Sequence, residues 1–395
     1  MQKRILHIVT MLLLAVCCNA QIDDLQRDYF RAQNYILHGE TDSAMAIWQS
    51  HEDVAEFLIC MIDQMIESEN YSQALVVSRK LEKLNVIEAQ FRMARIYAGM
   101  GFAEESVDYL GKHLAGKGAR SYLQIIKCKE FENINRTEEW RSFWETPRYS
   151  KSDEAFVDVE YNISSGNYDY ALEMLDAMSN AKPTKRNYLY AKIYYKTGNY
   201  ASAAKYLENL NSKDADVVSL RLSVELATNN YAAAYATAKT LLNIDRYNAD
   251  NLLACSDACF HYKKYLEARI YTGRYLQCFP DNENALYMDA RLALMTENKD
   301  DALAEASRLI ELNPSKSDYF KMRGEIFYEY GMWNLASYDM SMALDIAPDD
   351  TRLNYIMGMC HYYEASYDKA CFYWRRAATG KSRDAADMYY RYCEE

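Results

Sequence analysis

ALDIAPDD, Ala343–Asp350, closes a helical run on a proline, in a chain of 395 residues that contains only five prolines. Pro348 has no amide hydrogen and cannot continue the helix before it, so it marks a stop and sets a turn. Three of the five prolines, Pro280, Pro314 and Pro348, stand at intervals of 34 residues. A fixed recurrence of that length is a repeat signature, and helix-turn-helix units are one of its known sources.

Laid out as one unit, Ser317–Asp350 puts Gly324 at position 8, Gly331 at 15, Ala336 at 20, Ala343 at 27 and Pro348 at 32. Gly324 and Ala336 stand where two antiparallel helices cross, and a larger side chain there would hold the backbones apart. Gly331 can take the left-handed conformation that ends the first helix. The turn recurs as SENYSQA (Ser68–Ala74), SGNYDYA (Ser165–Ala171), TGNYASA (Thr197–Ala203) and TNNYAAA (Thr228–Ala234). On these residues the chain resembles the tetratricopeptide repeat family, which implies an all-α fold, a right-handed α-α superhelix or solenoid. No stretch shows the alternation of a strand.

Position 20 or its neighbour is filled by Ala44, Ala74, Ser106, Ala171, Ala203, Ala234, Ala268, Ala302, Ala336 and Ala370, the last five at a strict spacing of 34. The 65 residues between Ser106 and Ala171 leave room for one degraded unit. The organisation expected is a leader at 1–20, repeats over 21–134, a degenerate joint at 135–151 with Trp140 and Trp144 packing between two sub-arrays, a second array over 152–384 and a capping helix at 385–395. Arg246 and Ser382 stand where proline would be and Glu297 stands in the slot of Gly331, so longer or looser turns are expected there.

MQKRILHIVTMLLLAVCCNA reads as a secretory leader: basic Lys3 and Arg4, an apolar stretch from Ile5 to Val16, and small residues Cys18 and Ala20 before a cut at Gln21. Acylation of Cys17 or Cys18 is the competing reading and the only route to membrane association; Val16 is branched where such a site prefers a small residue. The mature chain is expected to be exported, to the periplasm or cell envelope. Net charge is −12, and more negative once Lys3 and Arg4 are removed, which argues against nucleic acid as a partner. Eight cysteines follow the leader without a CxxC pair, so disulfides are permitted but not specified. Cys255 and Cys259 read as small buried thiols rather than metal ligands.

Catalytic signals are weak. GKHLAGKG (Gly111–Gly118) matches the start of a phosphate-binding loop but has Gly118 where Ser or Thr should hold magnesium, and it falls at the end of a helix rather than after a strand. Neither HExxH nor GxSxG occurs, and no cofactor, metal or enzymatic activity is expected.

The resemblance implies a concave face built from first-helix residues. The candidates are Tyr188, Lys192, Tyr195 and Lys196; Asp257, Phe260 and His261; Tyr328; and Arg352, Tyr355, Tyr362 and Tyr363. Tyrosine, 36 residues of the chain, offers stiff contact area with a polar tip, although helix packing accounts for most of it. Family members that grip a peptide carboxylate use lysine and asparagine; here Lys321 is followed one turn on by Glu325, so that clamp is not implied. The function implied is a non-enzymatic scaffold for protein or peptide partners, in secretion or outer-membrane assembly. A carbohydrate-binding accessory protein using groove aromatics is the alternative. Partner identity and oligomeric state are not readable.

Overall fold

A computed structural model describes residues 23–178, 182–210 and 213–393. The expected leader, with Cys17 and Cys18, lies outside them. The chain divides into two compact units, the first ending at Tyr247 and the second beginning at Asn248. Every regular element among the described residues is a helix.

The first unit opens with α1 (Asp24–Leu37), α2 (Thr41–Gln49), α3 (Ala55–Glu67), α4 (Tyr71–Glu82), α5 (Val86–Gly99) and α6 (Ala103–Leu114). Three short pieces follow: α7 (Tyr122–Ile126), a 3-10 turn (Lys129–Asn133) and α8 (Glu138–Glu145). Regular hairpins resume with α9 (Lys151–Ser164), α10 (Tyr168–Ala177), α11 (Pro183–Lys196), α12 (Tyr200–Glu208), α13 (Ala215–Ala227) and α14 (Tyr231–Ile244). The second unit contains α15 (Asp250–His261), α16 (Tyr265–Leu276), α17 (Glu283–Met295), α18 (Lys299–Leu312), α19 (Ser317–Glu329) and α20 (Trp333–Ile346). It ends with α21 (Thr351–Tyr363), α22 (Tyr367–Thr379) and α23 (Arg383–Tyr392).

Among the described residues one device ends the first helix of all ten hairpins. Gly39, Glu69, Gly101, Gly166, Gly198, Asn229, Lys263, Glu297, Gly331 and Ala365 have φ between 58° and 80°. The next amide then reaches back five residues, as Met332 N–H does to the Phe327 carbonyl at 2.9 Å, capping carbonyls that the helix leaves open. Asn298 N–H makes the same bond to Ala293 at 2.8 Å, so the turn at Glu297 is closed like its neighbours and not looser. Five of the ten positions hold a side chain in a conformation that favours glycine, at about 1–2 kcal/mol each.

The second constraint is the crossing. All ten position-20 residues are fully buried. Ser106, the one hydroxyl among them, donates to the Ala94 carbonyl across the hairpin at 2.9 Å, so its burial leaves no polar group unmatched. A methyl on Gly324 would stand 2.8 Å from Met340 Cε, and one on Gly358 would stand 2.3 Å from Trp374 Cδ1. Trp374 heads the fully buried side chains by size, so Gly358 is the space its indole occupies.

Where proline is missing, other groups serve. Ser382 caps α23 by accepting from Ala385 N–H at 3.2 Å, and Cys393 at the end of that helix is disulfide-bonded to Cys371 of α22. Arg246 joins α1 to the end of α14: its carbonyl accepts from Gln26 Nε2 at 2.6 Å and its guanidinium pairs with Asp23. Beside it the Tyr247 and Tyr29 rings lie 4.8 Å apart. Residues 135–151 lie inside the first unit, where Trp140 is buried against Phe131 and packs with α5 and α6. Among the described residues no helix is long and apolar enough to cross a membrane.

His113, within GKHLAGKG, is buried and ties the loop down. Its Nδ1 lies 2.9 Å from the Ile87 carbonyl, which only accepts, so Nδ1 carries the proton. Nε2 is then the acceptor for Arg120 N–H at 2.8 Å. Burial lowers its pKa, against the opposing pull of the Ile87 carbonyl and the Glu88 carboxylate.

Ala365→Gly is expected to raise stability by about 0.5–1 kcal/mol, strain relief offset in part by chain entropy. Gly358→Ala is expected to lower it by about 1–3 kcal/mol through overpacking against Trp374. Urea denaturation of the two variants checks both signs. The folded-state pKa of His113 is below its unfolded value of about 6.5, so the neutral ring's contribution is complete above that pH and is lost as pH falls through the folded value. The difference in melting temperature between wild type and His113→Phe should therefore narrow from pH 7.5 to pH 5; a constant difference contradicts this assignment.

Candidate functional site

In the first unit the candidate residues Tyr188, Lys192, Tyr195 and Lys196 lie along α11. Tyr188 packs between the hydrophobic clusters on either side of that helix, and burial raises its hydroxyl pKa to about 12, with Asp216 and Asp214 adding to the effect. Lys192 Nζ lies 5.9 Å from the centre of the Tyr188 ring. Tyr195 tilts against Tyr200 at 5.7 Å. Lys185, one turn earlier than Tyr188, is neutralised by Glu160 at 3.1 Å. Neither Lys192 nor Lys196 has a carboxylate within 4.0 Å among the described residues.

The candidates of the second unit are differently placed. Asp257 and His261 face one another along α15 at 3.5 Å, and the Arg291 guanidinium lies 4.7 Å over the Phe260 ring. Lys321 pairs with Asp350 at 2.9 Å and Arg352 with Glu325 at 3.5 Å, so these charges join successive repeats. Tyr328, Tyr355 and Tyr362 are partly buried against the cluster around Trp374. Tyr362 meets the rings of Tyr363, Tyr367, Trp374 and Tyr392 at 5.0–5.8 Å. Tyr363 is exposed, its ring stacked on Trp333 at 4.3 Å. Ten of the 36 tyrosines are exposed, so helix packing is the main use of this residue.

Elsewhere in the first unit a buried charge network links α3, α5 and the degenerate stretch. Asp63 accepts from Arg92 at 2.6 Å and from Arg95 at 2.7 Å, and Arg95 also pairs with buried Glu130 at 3.1 Å. Glu88 binds Arg92 and Arg120; burial pushes its pKa up, but the two guanidiniums outweigh that and hold it below the usual carboxylate range. Three acids face three arginines, an internally balanced arrangement that explains their burial without catalysis. GKHLAGKG follows a helix, α5, and spans the last turn of α6 and the loop beyond it. Among the described residues no three His, Cys, Asp or Glu gather to hold a metal, and Cys255 and Cys259 are buried in α15.

Two features escaped the sequence reading. The Cys371–Cys393 bridge joins residues 22 apart on facing helices, a relation visible only once α22 and α23 are paired. A cleft of about 820 Å³ opens where α7, α8 and the start of α9 meet; the sequence signal was the degraded repeat itself.

No protein-family profile and no curated protein matches the chain. Among solved structures, the C-terminal part of a TPR repeat-containing protein from Cytophaga hutchinsonii is 15% identical and covers 59% of this chain and 98% of that one, with a TM-score of 0.48. A tetratricopeptide repeat protein from Parabacteroides merdae is 15% identical over 60% of this chain and 97% of its own, with a TM-score of 0.46. YrrB, a TPR protein with an unusual peptide-binding site, is 19% identical over 49% of this chain and 97% of its own, with a TM-score of 0.40. These are likenesses of fold alone. The architecture rests on the chain's own geometry: ten helix hairpins among the described residues, each with a small residue at its crossing and a left-handed stop at its turn, give it the fold of a tetratricopeptide-like solenoid.

Proposed function

We propose that the chain is an exported, non-enzymatic scaffold of the bacterial envelope that binds acidic protein segments on the face of α11. The carrying observation is the pair Lys192 and Lys196, without carboxylate partners among the described residues, in a chain of net charge −12. Lys316, Lys299 and Lys321, by contrast, each have an acid within 2.9 Å. Two cations on one helical face attract an anion of matching spacing, and the partly buried ring of Tyr188 lies beside Lys192. The leader-like start and the paired Cys371 and Cys393 support an oxidising compartment.

Carbohydrate binding is the second reading. It draws on Tyr338 and Phe372, exposed at equivalent positions of successive repeats and flanking a groove of about 610 Å³ in the second unit. Glycan-array binding lost on replacing both rings with alanine would favour it.

The experiment for the first reading is titration of the mature protein with a labelled ten-residue glutamate-rich peptide. Lys192→Glu with Lys196→Glu is expected to weaken binding at least about tenfold, and wild-type affinity should fall as salt rises. Unchanged affinity in the double variant removes α11 as the binding face.

A further inference from the structure

The degraded repeat leaves more than a weak sequence pattern. Where a regular unit would supply two helices of roughly equal length, the chain supplies α7 of 5 residues, a 3-10 turn of 5 and α8 of 8. Space that a long helix would fill is open as the cleft of about 820 Å³ within the first unit. Its two walls differ in chemistry.

One wall is aromatic. Tyr122 meets Trp144 edge-on at 5.1 Å, and the Tyr149 ring runs nearly parallel to Trp144 at 6.4 Å. The Tyr149 hydroxyl donates to the Arg120 carbonyl at 2.8 Å, which fixes that ring in place. Trp144 lines the cleft, and its indole N–H is buried with no hydrogen-bond partner among the described residues.

The other wall is acidic. Glu154 and Asp158 stand one turn apart on α9, both exposed, and neither has a cation within 4.0 Å among the described residues. The remaining charges of the cleft are engaged. Lys182 pairs with Asp153 at 3.1 Å, and Lys185 pairs with Glu160. The Arg148 guanidinium lies 4.1 Å over the Phe143 ring while its Nε donates to the Phe143 carbonyl.

We infer that this cleft, which only Lys185 of α11 borders, is a second binding site distinct from the Lys192 and Lys196 pair, and that its occupant is an extended peptide segment carrying an arginine side chain. A guanidinium stacks on aromatic faces and pairs with carboxylates through fixed N–H donors, which matches both walls at once. An acidic or wholly apolar segment meets one wall or neither.

The test is calorimetric titration of the full mature protein with three blocked pentapeptides, alanine throughout except for a central arginine, glutamate or leucine. The arginine peptide is expected to bind at least about tenfold more tightly than the other two. Glu154→Gln with Asp158→Asn, both at exposed positions, should weaken it by at least about tenfold with the helical circular-dichroism signal unchanged. Trp144→Phe, which keeps a ring but removes the N–H, should weaken it less. A saturating glutamate-rich decapeptide should leave arginine-peptide affinity unaltered, so failure of the α11 reading does not carry this one with it. Equal affinity for the three pentapeptides, no arginine-peptide binding up to roughly 1 mM, wild-type affinity in the double variant, or competition by the decapeptide overturns the assignment.

Discussion

The close approach of two antiparallel helices over a side chain no larger than a methyl or hydroxymethyl group is the constraint on which this protein depends. Ala44 and its nine counterparts are fully buried at the ten crossings. A hairpin so formed is apolar on the sides that face its neighbours, and stacking buries those sides without any long-range pairing in sequence. The left-handed residue and the backward-reaching amide at each turn make the return angle repeatable. Where the crossing residue is glycine, the freed volume is used, as Trp374 uses the space beside Gly358.

Charge follows the same local logic. Lys316 with Glu283, Lys299 with Glu329, Lys321 with Asp350 and Arg352 with Glu325 all join groups about one repeat apart. Such exposed pairs contribute little stability individually, typically ~0–1 kcal/mol. Their consequence is that these cations are matched within the array. The two lysines of α11 and the two acids of α9 differ from these pairs, being unmatched in opposite senses among the described residues. The arginine network around Asp63 and Glu88 shows the other extreme, charges partly to fully enclosed and balanced within the fold.

The fold was legible because its determinants are local. The spacing of Pro280, Pro314 and Pro348 and the recurring alanine identify the hairpin without knowledge of what lies beside it. Glu297 shows the limit of that reading: an acidic side chain in a glycine slot looks like a broken turn, yet the surrounding hairpin imposes the same conformation. The site was less legible. Lys321, Arg352 and Tyr362 match the positions that family resemblance assigns to a binding face, but partners one repeat away engage all three, and those partners follow from stacking rather than from the motif. The Cys371–Cys393 bridge, the ring tie of His113 to Ile87 and Arg120, and the cleft beside Trp144 arise from tertiary neighbours and leave no local pattern. The degraded stretch after Ser106 was visible as an absence; that the absence is a cleft was not.

Backbone amide hydrogen exchange, read peptide by peptide along the mature protein, tests the central claim most directly. The account predicts protected helices interrupted by rapidly exchanging amides at the hairpin turns, recurring at intervals of roughly 30–34 residues on either side of the degraded repeat. Protection that ignores this period, or a far-ultraviolet spectrum with substantial sheet, would contradict it.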